Sequence, residues 1–226
     1  MKILYIITGK EGEPTSEETS KSIESKEGGT VTFCLYKDEV EEPGLLNERI
    51  RNCDEEFTHV CIIPNGSSLS EKFKTLVPLY ATEEDAIYMP IVSYYYNPDG
   101  EEKFRGFLNS VLWKPHVVEQ VGELTLSTAV KQIDTTLYGC LIPIKLFKEQ
   151  NFGFATDVKY FWQFEFLNQV CKKEIDVLGI PKVLFNMTKD FELKDIDKDE
   201  KLKYFDMARA GYNLRSAEEL QAMLKA

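Results

Sequence analysis

FTHVCIIPNGSSLS, residues 57–70, is the stretch on which the fold of this chain turns. Its first half is a short apolar run, 57–63, built from β-branched, aromatic and small hydrophobic residues, and it reads as a buried strand. Pro64-Asn65-Gly66-Ser67-Ser68 then stops the run abruptly, since proline, asparagine and glycine favour turns over ladders. Ser68 and Glu71 stand at capping-box spacing, which predicts a helix opening there and running to about Val77. A buried strand, a sharp polar turn and a helix form half of a βαβ unit.

Working toward the N-terminus, the same alternation repeats. Residues 45–53 read as a short helix, and 30–36 (TVTFCLY) as a β-branched and aromatic strand. Before these come a polar helix to about Ser25, with Thr15 and Glu18 at capping-box spacing, and a buried strand over 2–8. Strand, helix, strand, helix, strand, helix implies a parallel sheet with right-handed crossovers and helices on both faces. The expected class is α/β, a three-layer α/β/α domain with a mostly parallel sheet. Ligands of open sheets bind beyond the carboxyl ends of the strands, so the loops 8–13, 36–42 and 64–68 are the ones to watch.

Toward the C-terminus the pattern loosens. Residues 86–96 (AIYMPIVSYYY) form a fourth strand candidate; Pro90 inside it requires an edge, a bulge or a break. Asn97-Pro98-Asp99-Gly100 is a turn signal. Helices are expected at about 104–112 and 126–133, and a longer apolar one over 157–171, with a short strand at 180–185 and helices at 199–210 and 216–224. Residues 135–147 resist assignment, because Gly139 and Pro143 interrupt an apolar run. The organisation expected is one domain over 1–190 with a helical appendage over 191–226.

Composition narrows the function. The chain has 226 residues, with 27 Lys+Arg against 38 Asp+Glu and a net charge of −11. Residues 1–56 hold 7 Lys/Arg and 14 Asp/Glu, most of the acid excess. Such a balance argues against nucleic acid as a partner, because phosphate backbones are held by clustered cations. Cysteines 34, 53, 61, 140 and 171 are scattered, without a CxxC pair, and are expected to be reduced thiols. The N-terminus lacks the apolar run of a signal peptide and no stretch is long enough to span a bilayer, so a cytoplasmic location is expected.

Several familiar signatures are absent: there is no GxGxxG after the first strand and no GxxxxGK[ST]. His59 and His116 are the only histidines, too few for a histidine-based zinc site. His59, inside the third strand, suits a structural role better than a catalytic one. Asp195-x-Asp197-x-Asp199 starts like a calcium loop, but Glu200 and Asp206 stand where glycine and bidentate glutamate are needed. Tyr94-Tyr95-Tyr96 suits either a sugar or base platform or plain edge-strand packing. Glu165 lies three residues after Trp162 and four after Phe161, on one helix face. Either the aromatics desolvate it, which would suit a general base, or it sits at the rim with its head in water.

Three stretches together resemble a glycosyltransferase of the GT-A fold, most similar to the family 2-like group. They are the strands 3–8 and 30–36 with the helix between them, the stretch 45–70, and 137–167 (LYGCLIPIKLF, NFGF and FWQFEFL). The resemblance implies transfer of a sugar from a nucleotide-sugar donor to an acceptor hydroxyl. It places the loops around Thr8 and Asp38 at the base and ribose, Asn65, Gly66 and Ser67 at the diphosphate, and Lys10 or Arg105 as charge compensation in place of a metal. Glu165, or else Asp157, takes the role of catalytic base. The family holds Mg or Mn on carboxylates after the third strand, but this chain reads Pro64-Asn65-Gly66-Ser67-Ser68 there. The usual Glu-Asp of the acceptor-side helix reads Trp162-Gln163. The cofactor is therefore open: no metal ligand is assigned, and metal-independent transfer, a rearranged metal site and loss of catalysis in a binding or structural module all fit the residues.

Overall fold

The computed structural model describes residues 1–24, 29–38, 41–96, 103–109, 136–156, 162–173 and 175–189. The expectations for 97–100, 126–133, His116, Asp157, Asp195–Asp199 and the appendage 191–226 lie outside these residues. Chain order is β1 (Ile3–Lys10), α1 (Glu17–Glu24), β2 (Gly29–Tyr36), α2 (Glu42–Arg51), β3 (His59–Pro64), β4 (Ser68–Leu69), α3 (Phe73–Tyr80), β5 (Ile87–Tyr96), β6 (Lys103–Leu108), β7 (Ile142–Pro143), α4 (Ile144–Lys148), α5 (Trp162–Lys172) and β8 (Val177–Lys189).

The strands form two four-stranded sheets, ordered β2-β1-β3-β7 and β4-β8-β5-β6. β1 pairs in parallel with both β2 and β3, with Thr8 level with Cys34 on one side and Pro64 on the other. Tyr88 and Leu141 join the sheets by exchanging backbone bonds of 3.0 and 2.9 Å. β7 runs antiparallel to β3, and the Tyr88–Leu141 bridge is antiparallel too. β5 therefore runs with β3, and the carboxyl ends of β1, β2, β3, β5 and β8 share one end of the molecule. The chain steps from β1 to β2 in one direction and from β2 to β3 in the other, so right-handed crossovers put α1 and α2 on opposite faces. The Cys34 thiol on β2 is pushed up to about 12 by burial and next by Glu42 of α2.

β1 and β3 are buried almost throughout, as a strand covered on both faces must be; Ile6, Val60, Ile62 and Ile63 are fully enclosed. A second packing centre is aromatic. Phe147 stacks on Phe166 at 5.4 Å, and Phe154 meets Trp162 edge-on at 4.7 Å. This cluster pins α5 to α4 and to the NFGF segment. α2 grips that segment from the other side: Asn47 Nδ2 donates to the Phe154 carbonyl and Asn47 Oδ1 accepts from the Phe154 N–H, both at 2.8 Å. Gly153 leaves room for this grip, because a Cβ there would stand 2.9 Å from Arg51 Nη2.

Several boundaries differ from expectation, each for a local reason. Residues 103–108 form strand β6, not a helix, because Phe104 and Phe107 pair across to Tyr95 and Ser93 of β5. Pro90 does mark a bulge, with the β5–β8 register shifting on either side of Ile91. β8 extends over 13 residues and not six. Ser68 does not cap α3: it lies in β4 and its hydroxyl donates to Glu18 at 2.7 Å, so α3 begins only at Phe73. Thr15 does not cap α1 either; the Thr19 N–H reaches Ser16 Oγ at 3.5 Å. Cys34, Cys61 and Cys140 are buried free thiols and Cys53 is a half-buried one.

Candidate functional site

The carboxyl ends of β1, β2 and β3 bring together six of the residues singled out from the sequence. Thr8 is buried at the end of β1, and its carbonyl accepts from the Asn65 N–H at 2.7 Å. Lys10, the last residue of β1, lies level with Tyr36 and is exposed. Asp38 follows β2 on the surface, and its carbonyl accepts from Glu41 N–H at 2.9 Å. Asn65, Gly66 and Ser67 form the turn after β3, with Gly66 at φ +85°. Arg105 is further off, exposed on β6 at the same end of the molecule. Glu165 occupies the first turn of α5, half-buried.

The turn is held from both sides. Asn65 Oδ1 accepts from the Ser16 N–H at 2.7 Å, and Asn65 Nδ2 donates to the Pro14 carbonyl at 3.0 Å. Its amide thus ties the β1–α1 loop to the end of β3. The polar face of α1 does the rest. Thr19, fully buried, accepts from the Gly66 N–H at 3.1 Å and donates to the Ser67 carbonyl at 2.7 Å. Ser22 Oγ accepts from the Leu69 N–H at 3.1 Å. From β8, the Thr188 N–H donates to Ser67 Oγ at 3.3 Å. Buried backbone groups need such partners, and here hydroxyls and one amide supply them.

A second polar cluster lies at the same end and was not legible in the sequence. Glu42, in the first turn of α2, is buried and accepts from the Tyr138 hydroxyl at 3.0 Å. Burial, and next the Glu42 carboxylate, push the Tyr138 hydroxyl well above its ordinary range, so it stays a donor. The Tyr138 ring meets Trp162 edge-on at 5.9 Å. Gln163 Oε1 accepts from the Leu137 N–H at 2.7 Å and from Thr136 Oγ1 at 3.0 Å. The Thr136 N–H in turn donates to Asn109 Oδ1 at 2.9 Å. Trp162 and Gln163, which replace the expected acids, are therefore occupied in packing and in bracing the 136–138 segment. No sequence signal separates Glu42 from the acidic residues around it; only the packing of α2 shows that it is enclosed.

The family expectation of a divalent cation can be tested against these donors. Hard cations take carboxylate and carbonyl oxygens. The Asn65 amide oxygen and the Ser67 hydroxyl already accept backbone N–H bonds. Among the described residues no group of three or more His, Cys, Asp or Glu side chains could hold a metal. The donor set at the turn does not fit a magnesium or manganese ion. His59 lies at the opposite end of the sheet. Its burial, with the amino terminus and Lys145 adding to it, lowers its pKa to about 4, which suits a core histidine.

No family model matches the chain, and no curated protein matches it by sequence. Solved structures do resemble it. TarS 1-349 from S. aureus in complex with UDP superposes with a TM-score of 0.59 at 11% identity, over 93% of this chain and 65% of that one. The complex of the same protein with UDP-GlcNAc gives a TM-score of 0.57 at 10% identity, again over 93% and 65%. TarS without the truncation gives 0.60 at 12%, over 92% of this chain and 39% of its own. The chain thus spans a little under two thirds of the shorter TarS structure. At this identity the likeness shows the fold, which is α/β and GT-A-like. Among the described residues no helix is long and apolar enough to cross a membrane.

Proposed function

We propose that this chain binds a nucleotide-sugar at the carboxyl ends of β1, β2 and β3 and transfers the sugar to an acceptor hydroxyl. The observation that carries the reading is the gathering of Thr8, Lys10, Asp38 and the Asn65–Ser67 turn at one sheet end of a GT-A-like fold. Thr8 and Asp38 would hold base and ribose. Gly66 and Ser67 would face the diphosphate, while Lys10 and Arg105 offset its charge. In the transfer the C1–O bond to the diphosphate breaks and a bond from the acceptor oxygen to C1 forms. The acceptor proton passes to Glu165, and the nucleoside diphosphate leaves. No step is routed through a metal, because the donors at the turn do not fit one. A UDP-sugar is the first donor to try, since TarS structures hold UDP and UDP-GlcNAc.

A second reading has its own observation. Trp162 is buried and Gln163 is committed to Leu137 and Thr136, so neither provides a base. That favours a module which binds the donor without turning it over. A thermal-shift series with UDP-, GDP- and CMP-sugars, with and without manganese, tests donor binding: micromolar affinity gives a clear shift at millimolar ligand. The absence of any shift would remove both donor-binding readings. Donor hydrolysis that disappears in Glu165→Gln supports transfer; binding without any hydrolysis supports the module.

A further inference from the structure

One face of the second sheet is left half bare. Val92, Phe185 and Met187 pack its inner face into the core. On the outer face Ser93 lies level with Asn186 and Phe107, and Tyr95 with Thr188 and Phe104. At the β4 edge α1 reaches this face, with the Ser68 hydroxyl donating to Glu18 at 2.7 Å. At the β6 edge it carries three aromatic rings. In a regular strand Phe104 and Phe107, three residues apart, would point to opposite sides. The β5–β6 pairing shifts between Tyr94 and Tyr95, and a bulge with Arg105 as its extra residue brings both to the side of Tyr95. Phe104 meets Tyr95 edge-on at 5.5 Å and Phe107 at 5.2 Å, yet the two phenylalanines are 52% and 51% exposed. A sheet face left to water is normally polar, so a ring cluster of this kind marks a contact surface.

The chain itself supplies an occupant. Lys189, the last residue of β8, is level with Tyr96, and Tyr96 with Lys103 at the start of β6. The chain therefore leaves β8 two strands from β6, roughly 10 Å at about 4.8 Å per strand, at the Phe104 end of the hairpin. Of the 37 residues that follow Lys189, 216–224 (SAEELQAML) carry the sharpest helical pattern. Ala217, Leu220, Met223 and Leu224 recur at helical spacing and share one stripe, while Glu218, Gln221 and Lys225 fall opposite. So short a helix is marginal in water on its own and depends on a surface for its apolar stripe. Methionine and leucine pack well on aromatic rings. The two sides also differ in charge: β6 contains Lys103 and Arg105 and no acid, whereas Glu218 and Glu219 stand in the first turn of the helix. Residues 110–135 are worse placed. The chain enters and leaves them at Asn109 and Thr136, which are bonded to each other at 2.9 Å beside Pro90, toward the other end of β5. Phe33 and Leu35 are exposed too, but on β2 at the far edge of the first sheet.

We propose that residues 216–224 form a helix that docks its Ala217–Leu220–Met223–Leu224 stripe on the Tyr95–Phe104–Phe107 face of the same chain. The proposal does not depend on the donor reading above. The test is hydrogen exchange by mass spectrometry on the full chain, in wild type, Phe104→Asp, Phe107→Asp, Phe107→Leu and Leu220→Asp. In wild type the amides of 216–224 should exchange about tenfold slower, or more, than in a free peptide of that sequence. Phe104→Asp and Phe107→Asp should each remove that protection, and Phe107→Leu should keep it. Leu220→Asp should remove it as well and speed exchange over 103–108. Unchanged β1 amides show that the variants fold. Leu220→Asp alters no strand residue, so the test stands even where an aspartate on β6 disturbs the hairpin. Exchange of 216–224 at the free-peptide rate in wild type overturns the proposal. Protection that survives both Phe104→Asp and Phe107→Asp overturns it, and so does a Leu220→Asp variant with unchanged exchange over 103–108. Protection that disappears on dilution, together with a dimer in sedimentation, overturns it too, because the helix would then sit on a second copy.

Discussion

Gly139 sits where the two sheets and the second polar cluster meet, and replacing it with alanine tests the packing there. Its N–H donates to the Ile62 carbonyl at 2.9 Å, one residue after Tyr138. Its φ is +74°, a region that costs an L-residue about 1–2 kcal/mol. A Cβ on Gly139 would also stand 2.5 Å from Phe185 Cγ, 2.7 Å from Cδ1 and 2.8 Å from Cβ. Carbon pairs prefer about 3.5–4.0 Å, so the ring must give way by about 1 Å. Phe185 is fully buried on β8, between β4 and β5. Overpacking of that kind costs about 1–3 kcal/mol. Gly139→Ala should therefore lose about 2–5 kcal/mol, a large share of a typical domain's stability. Gly66→Ala is the control: its φ is +85°, but nothing lies within 4 Å of the added methyl, so only the backbone cost of about 1–2 kcal/mol applies. Urea unfolding of the two variants, read at constant m-value, measures the difference. If Gly139→Ala loses no more than Gly66→Ala, the close approach of Phe185 is wrong.

Three further outcomes follow from the same geometry. His59 is neutral in the fold down to about pH 4, while in the unfolded chain it takes its proton near 6.5. The unfolded state therefore binds more protons in that window, and stability falls as pH drops from 6.5 to 4, by up to about 3 kcal/mol. His59→Leu should flatten the fall by a comparable amount in urea titrations at pH 6.5 and 4; parallel profiles would show that His59 is not the group responsible. Tyr138→Phe removes one buried charge-assisted bond to Glu42 and should lose about 1.5–3 kcal/mol, against which a loss under about 0.5 kcal/mol would count. Asn65→Ala releases the Pro14 carbonyl and the Ser16 N–H together, so hydrogen exchange at Ser16 should rise about tenfold while the β1 amides hold; unchanged exchange at Ser16 would mean that the loop is fixed by other contacts.

The first half of the fold was legible because its signals are local. Buried runs such as VCII in β3 and ILYII in β1 need no partner to be recognised, and their order with the helices between them fixes a parallel sheet. The errors cluster where the deciding contact is remote. Phe104 and Phe107 fit a helical spacing as readily as a strand, and only pairing with β5 settles the matter. Ser68 has a capping-box partner in Glu71, but Glu18, fifty positions earlier, takes its hydroxyl. The site shows the same division. Thr8, Asn65, Gly66 and Ser67 could be found as strand ends, whereas Thr19 looks like any polar helix residue until α1 is laid against the turn. Glu42 was hidden among 14 acids in the first 56 residues, and burial is a property no residue name carries.

The turn after β3 also constrains how any donor could be held. Two carboxylates placed there would repel one another unless a cation or a proton offset the charge. This turn is ordered by its own chain: the Gly66 and Leu69 N–H groups, the Ser67 carbonyl and hydroxyl and the Ser68 hydroxyl all have partners in α1 or β8. Such a turn keeps its shape without a ligand, and it presents a neutral surface inside a chain of net charge −11. On the proposed donor reading, a diphosphate at this turn would have its charge met by cations on the rim. Lys10 ends β1 and Arg105 lies on β6 at the same end of the molecule, both exposed. Donor affinity should then depend on those two side chains and fall steeply with salt, because exposed charges are screened within about 10 Å at 0.1 M ionic strength. On that reading the exchange of acids for hydroxyls would move the electrostatic work from a bound ion to surface lysine and arginine, where salt screens it more easily.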